Sequence, residues 1–117
     1  MTSDAEPGSG PDAAPDAAPG REQALAEVRA GIDRLDRDLV ALIAQREQLV
    51  RRAGLLKQDA GAVRAPARVE QVIDRVRALA EEAAASPDVV ERTYHAMIAA
   101  FVDLELGVHA AAPRRQD

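Results

Sequence analysis

The chain has 117 residues, a formal net charge of −5, two histidines and no cysteine. That is enough chain for one small domain; with no cysteine there is no disulfide framework and no thiolate metal site, and no metal-ligand spacing includes His95 or His109. No apolar run approaches the roughly 20 residues of a membrane span, so the expectation is a cytoplasmic protein that works off the membrane, without a metal or other cofactor.

Residues 1–20, MTSDAEPGSGPDAAPDAAPG, hold four prolines, three glycines, four acids and no large aliphatic side chain after Met1. Such a stretch cannot bury enough apolar area to offset its ordering entropy, so it reads as a disordered acidic tail. It has neither the basic start nor the apolar run of a signal peptide. Its acids account for four of the five net negative charges and leave residues 21–117 at −1. Bulk charge therefore leaves no footprint for nucleic acid.

The domain is expected over residues 21–112, with 113–117 frayed. Its first helix is predicted from about Glu22 to Asp59, stopping near Gly61. Leu25, Val28, Ile32, Leu35, Leu39, Leu42, Leu49, Ala53 and Leu56 recur at alternating steps of three and four, the spacing of a heptad seam. A helix of that extent would be roughly 57 Å long. A compact chain of this size has a radius of gyration of only about 13 Å, so the seam should be buried against a second copy. Gly31 and Gly54 lie within the helix, each about 1 kcal/mol less favourable than alanine; close helix approach is the only account the sequence offers. The seam slot between Leu42 and Leu49 falls on Arg46. A guanidinium cannot lose its proton there and needs an anion or several acceptors.

A loop is predicted over Ala60 to Ala65. Pro66 suits the first turn of a second helix, whose face carries Val69, Val72, Ile73, Val76, Leu79, Ala80 and Ala83. Ser86-Pro87-Asp88 is a start signal for the third helix: an N-cap serine, a proline at N1 and an early acid. Its stripe runs Val90, Tyr94, Met97, Ile98, Phe101, Glu105, Val108. Glu105 is the polar interruption. There is no strand pattern and no repeat, so the fold class is all-α, three helices with a long first one.

Lys57 follows Arg46 by eleven residues, about three turns, so the two project on nearly one face some 16 Å apart. Long side chains leaning inward could grip a small dianion. Arg29 is about 25 Å from Arg46 along the axis and rotated by roughly 100°. It can reach the same site only from an antiparallel partner chain. Arg68, at the start of the second helix, could close the site from the side, and Phe101 lies one turn before Glu105.

The run VRAGIDRLDRDLVALIAQREQLVRRAGLLK, Val28 to Lys57, resembles the first helix of the all-helical (type II) chorismate mutase family. Members show an Arg, then Ile-Asp-x-x-Asp, leucine-rich turns, an Arg, and a Lys eleven residues on. The resemblance continues through Arg68 and the last helix and covers most of residues 25–108. It implies an intertwined homodimer of three-helix chains with two active sites, each built from both chains. It implies that Arg29 comes from the partner to one substrate carboxylate and that Arg46 binds the other. Lys57 would donate to the ether oxygen and a carboxylate oxygen, and Arg68 would add positive charge at the breaking bond. Glu105 falls where many members carry glutamine and some glutamate; it would donate to the ether oxygen only when protonated.

Two positions depart from that pattern. Many members carry an acid three residues before the loop arginine and a glutamate directly after it, and these orient the substrate's hydroxyl; here the positions hold Ala65 and Val69, with Glu70 next. The loop VRAPARVE, through its Ala-Pro-x-Arg-Val core, resembles the isochorismate-pyruvate lyase branch of the same fold, which makes salicylate. Mutases of 4-amino-4-deoxychorismate are a third possibility.

The mutase reaction is unimolecular and needs no nucleophile, metal or cofactor. It needs a flexible dicarboxylate held in its reactive conformer and negative charge stabilised on the ether oxygen, both of which fixed cations supply. The sequence has cations on seams and no nucleophile–base pair, P-loop or redox motif. The reading of another class is a non-catalytic dimerisation or regulatory module. In such a module Arg46 would set helix register against a partner glutamate, and Lys57 and Arg68 would have no need of their spacing.

Overall fold

The computed structural model describes residues 14–113, with side chains from Gly20 onward. Its elements are α1 (Ala14–Leu56), α2 (Ala60–Arg64), α3 (Pro66–Glu82) and α4 (Pro87–Ala111). The three long helices are those expected from periodicity, the first the longest. Among the described residues no helix is long and apolar enough to cross a membrane.

Helix α1 ends at Leu56, three residues before the expected Asp59, and the boundaries differ in two further places. Helix α1 begins at Ala14, ahead of the expected Glu22. Ala14, Ala17 and Ala18 are the best helix formers, and Pro15 sits in the first turn, where its missing N–H has no intrahelical acceptor to lose. The expected acidic tail thus lies outside the described residues only up to residue 13. The expected frayed end lies outside them from residue 114. The second difference is the predicted loop, which contains the single turn α2. Asp59 caps it, its Oδ1 accepting from Ala62 N at 2.8 Å. The turn drives Val63 into the core at 3% exposure, and α2 packs on α4. One buried valine and one cap are too short a signal to show as periodicity.

Ala65 ends α2 and precedes α3 with φ 35° and ψ 64°. The left-handed region is about 1–2 kcal/mol unfavourable for a residue with a Cβ, and Pro66 restricts it further by disfavouring the right-handed region before it. The strain is spent on a tight reversal: Ala65 N donates back to Gly61 O, while Ala65 O accepts from Val69 N as the first bond of α3. Helix α3 ends on a second positive-φ alanine, Ala84. There the N–H of Ala85 reaches Ala80 O at 2.8 Å and that of Ala84 reaches Glu81 O, the bonding of a Schellman cap. Helix α4 starts as its sequence predicts, with Ser86 Oγ accepting from Val89 N at 3.3 Å and Pro87 in the first turn.

The chain divides into two units, Met1–Ile43 and Ala44–Asp117. The second holds the core: Val63, Val72, Ile73, Val76, Ala80 and Phe101 are buried, with α3 packed on α4. Arg77 ties that hairpin at its tip, its Nη1 reaching Asp88 at 3.0 Å and Glu91 at 2.6 Å; these hydrogen bonds raise its already high pKa. Within the first unit, the seam residues Leu25, Val28, Ile32, Leu35, Leu39 and Leu42 are 47–62% exposed.

Candidate functional site

In the second unit, one cleft of about 330 Å³ opens between the last turns of α1, α2, the first half of α3 and the middle of α4. Arg46 and Lys57 enter it from α1 and the residue after it, Arg68 from α3, and Phe101 and Glu105 from α4. Five of the six residues expected at a site thus line one space. The sixth, Arg29, is exposed on the first unit and is not among the lining residues.

Arg46 is half-buried. Its Cζ lies 5.4 Å from the centroid of the Phe101 ring and 5.9 Å from that of Tyr94. Cation–π contact of this kind is worth about 0.5–1 kcal/mol and leaves the N–H groups free to donate. Among the described residues Arg46 forms no salt bridge. The aromatic pair supplies the packing that a leucine would have had at this slot, and the charge is left for something else.

Glu105 is buried, at 6% exposure. Lys57 Nζ lies 2.6 Å from its Oε2, yet that buried oxygen accepts no properly angled hydrogen bond. The contact is an ion pair by distance alone, and Oε2 is left without a hydrogen-bond partner among the described residues. A charge pair withdrawn from water needs well-aligned partners to offset its desolvation; this one is incomplete.

Gly54 makes the arrangement possible. A Cβ at this position would lie 2.9 Å from Glu105 Cγ and 3.3 Å from Glu105 O, so α1 and α4 meet here at a separation that only glycine permits. His109 is half-buried and its Nδ1 lies 3.2 Å from Gly54 O, a second tie at the same crossing. The other histidine, His95, is exposed, with Glu91 3.5 Å away.

Two further lining residues were not expected. Arg75, a lone arginine on the second helix, and Arg64, in the predicted loop, both line the cleft. The signal for Arg75 was present: it follows Arg68 by seven residues, two helical turns, and so shares its face. Arg64 had none, because its direction depends on the α2 turn. Ala65 and Val69, where acids would have stood, also line the cleft and make that part of its wall apolar.

Comparison with known proteins gives one family. The family model described as chorismate mutase type II matches residues 28–106, and the match does not single out the lyase branch. Neither the curated proteins nor the solved structures returned a match.

Proposed function

The chain belongs to the type II chorismate mutase family, and from that premise we propose that it converts chorismate to prephenate as a homodimer. The observation that carries this reading is the convergence of Arg46, Lys57, Arg68 and buried Glu105 on one cleft. Four charged side chains from three separated stretches of sequence meet there, and one of them is a seam arginine without an acid partner. A coiled-coil register device would need a carboxylate for Arg46 and would have no use for the rest.

The rearrangement breaks the ether C–O bond of the substrate as a new C–C bond forms. The protein has two tasks: to hold the enolpyruvyl arm over the ring and to stabilise negative charge growing on the ether oxygen. Arg46, held by its two aromatic faces, binds one carboxylate, and the partner's Arg29 binds the other. Lys57 donates to the ether oxygen and to a carboxylate oxygen. Arg68 adds positive charge where the bond breaks. Glu105 stands beside Lys57 and donates to the ether oxygen when it carries a proton. The exposed seam from Leu25 to Leu42 supports a second copy, since contiguous apolar surface of this kind marks an association site.

The test is a parallel assay of the purified protein with chorismate and with isochorismate, the products resolved by chromatography. Prephenate from chorismate with little salicylate is the expected result. Efficient salicylate release from isochorismate would move the chain to the lyase branch, and an amino analogue is the remaining substrate to try. The role given to Glu105 has its own test. Glu105→Gln, which keeps a donor at this position, should retain turnover, whereas Glu105→Ala should lose most of it. A Glu105→Ala variant with the wild-type kcat would remove Glu105 from the donor set.

A further inference from the structure

The proposed reaction leaves Arg64 and Arg75 unused. Residues 44–117 carry as many acids as bases, but the charges are not evenly spread. Arg46, Lys57, Arg64, Arg68 and Arg75 line the cleft against a single acid, Glu105, and that acid is beside Lys57. Elsewhere in this unit Arg51 pairs with Glu47 at 3.0 Å and Arg77 with Asp88 and Glu91, while Arg52 and Arg92 form no salt bridge among the described residues. Among the described residues Arg64, Arg68 and Arg75 form no salt bridge. The cleft therefore has more positive charge than a dicarboxylate needs for its two carboxylates.

The surplus has an ordered position. Arg68 and Arg75 stand two turns apart on one face of α3, about 10 Å along its axis, with buried Val72 between them. Arg64 ends α2 just before the reversal at Ala65. All three are exposed, so they form the outer edge of the cleft, while Arg46 and Lys57 are half-buried. Apolar walls at Val63, Val69 and Val72 lie beside them. Like charges around a low-dielectric recess focus the field into it and raise capture of an opposite charge by about 10- to 1,000-fold.

We propose that Arg64 and Arg75 form a capture rim that draws a dicarboxylate into the cleft and sets its affinity without touching the reacting atoms. The inference rests on reading this cleft as a dicarboxylate site. Both are positioning residues: they act on the approach and holding of the anion, and Arg68 beside them acts on the bond.

The experiment is steady-state kinetics of Arg64→Gln, Arg75→Gln and the double variant with chorismate, at about 10 mM and about 300 mM ionic strength, a range over which surface charge becomes screened. At low salt the double variant should raise KM about tenfold with kcat held within about twofold, and the salt dependence of kcat/KM should flatten. A kcat that falls in step with kcat/KM would put these arginines on the transition state and overturn the proposal, as would an unchanged KM. A chorismate titration of 15N-labelled protein, read by NMR, separates this from the reaction itself. Binding that weakens about tenfold in the double variant, in a wild type that turns over neither chorismate nor isochorismate, keeps the rim and removes the mutase. Turnover with an indifferent KM does the reverse, and a wild type that does not bind chorismate removes both.

Discussion

The two units treat apolar side chains in opposite ways. In residues 44–113, Val72, Ile73, Val76 and Ala80 of α3 are buried against α4 within the one chain. In residues 20–43, α1 carries an equally regular run, yet every seam position from Leu25 to Leu42 is about half exposed. The periodicity is of similar quality and the outcome differs because α3 is followed by a tight Schellman turn that returns α4 onto it, whereas among its described residues the first unit has no second element to fold back. Hydrophobic pattern specifies which face will be buried; connection geometry decides whether the same chain supplies the cover.

The comparison breaks most sharply at the seam. With Leu35→Asp and Leu39→Asp together, the proposed dimer should fall to a monomer and turnover should be lost, because the partner's Arg29 leaves the site. Light scattering and the prephenate assay check it; a double variant that stays dimeric and active would mean the seam is not the interface. The matching change in the second unit, Ile73→Ala, should lower unfolding free energy by about 2–5 kcal/mol through the α3–α4 core, measured by denaturant titration, with the oligomeric state unchanged.

Arg46→Ala comes next, because it removes the guanidinium and its contacts with Phe101 and Tyr94 while leaving the α3 core residues Val72, Ile73 and Val76 in place. The expected loss in kcat is at least about a hundredfold, the scale of removing one preorganised donor, with helical circular dichroism and dimer size retained. A variant that unfolds or dissociates would make Arg46 structural instead. Heterodimers made by mixing inactive Arg29→Ala and Arg46→Ala chains should recover activity in sites that receive both wild-type arginines; no recovery after confirmed subunit exchange would contradict a site built from two chains.

The fold was largely legible because its helices are long and their signals local. Ser86-Pro87-Asp88 placed the start of α4 through a cap that needs only three residues. The seam exposed Arg46 as its odd member, and the α4 stripe did the same for Glu105. What was not legible depends on tertiary geometry. The α2 turn is too short to carry a period, so the direction of Arg64 could not be read. His109 meets Gly54 O across fifty-five positions of sequence, and no spacing rule reaches that far. Arg75 was legible by its two-turn offset from Arg68, but a lone arginine on a helix is ordinarily a solvated charge, and only the cleft distinguishes it.

Gly31 and Gly54, in the interior of α1, give the smallest effects and the finest form of the comparison. Both are unfavourable in a helix interior by about 1 kcal/mol relative to alanine, so each needs a reason. For Gly54 the reason is on the second unit: an added Cβ would press on Glu105 at Cγ and at the backbone oxygen. The side chain can give way, but the backbone contact cannot without moving α4. Gly54→Ala should therefore cost about 1–3 kcal/mol and reduce turnover by displacing Glu105 from Lys57, seen as a lower denaturation midpoint and a lower kcat. For Gly31 the single chain offers no such reason, since the nearest atom an added Cβ would meet is an Arg34 guanidinium nitrogen at 3.7 Å. Gly31→Ala should then stabilise by up to about 1 kcal/mol. A loss of stability instead, with wild-type stability rising with protein concentration and the variant's not, would show that another backbone approaches α1 at Gly31 in the assembled protein, as α4 approaches it at Gly54.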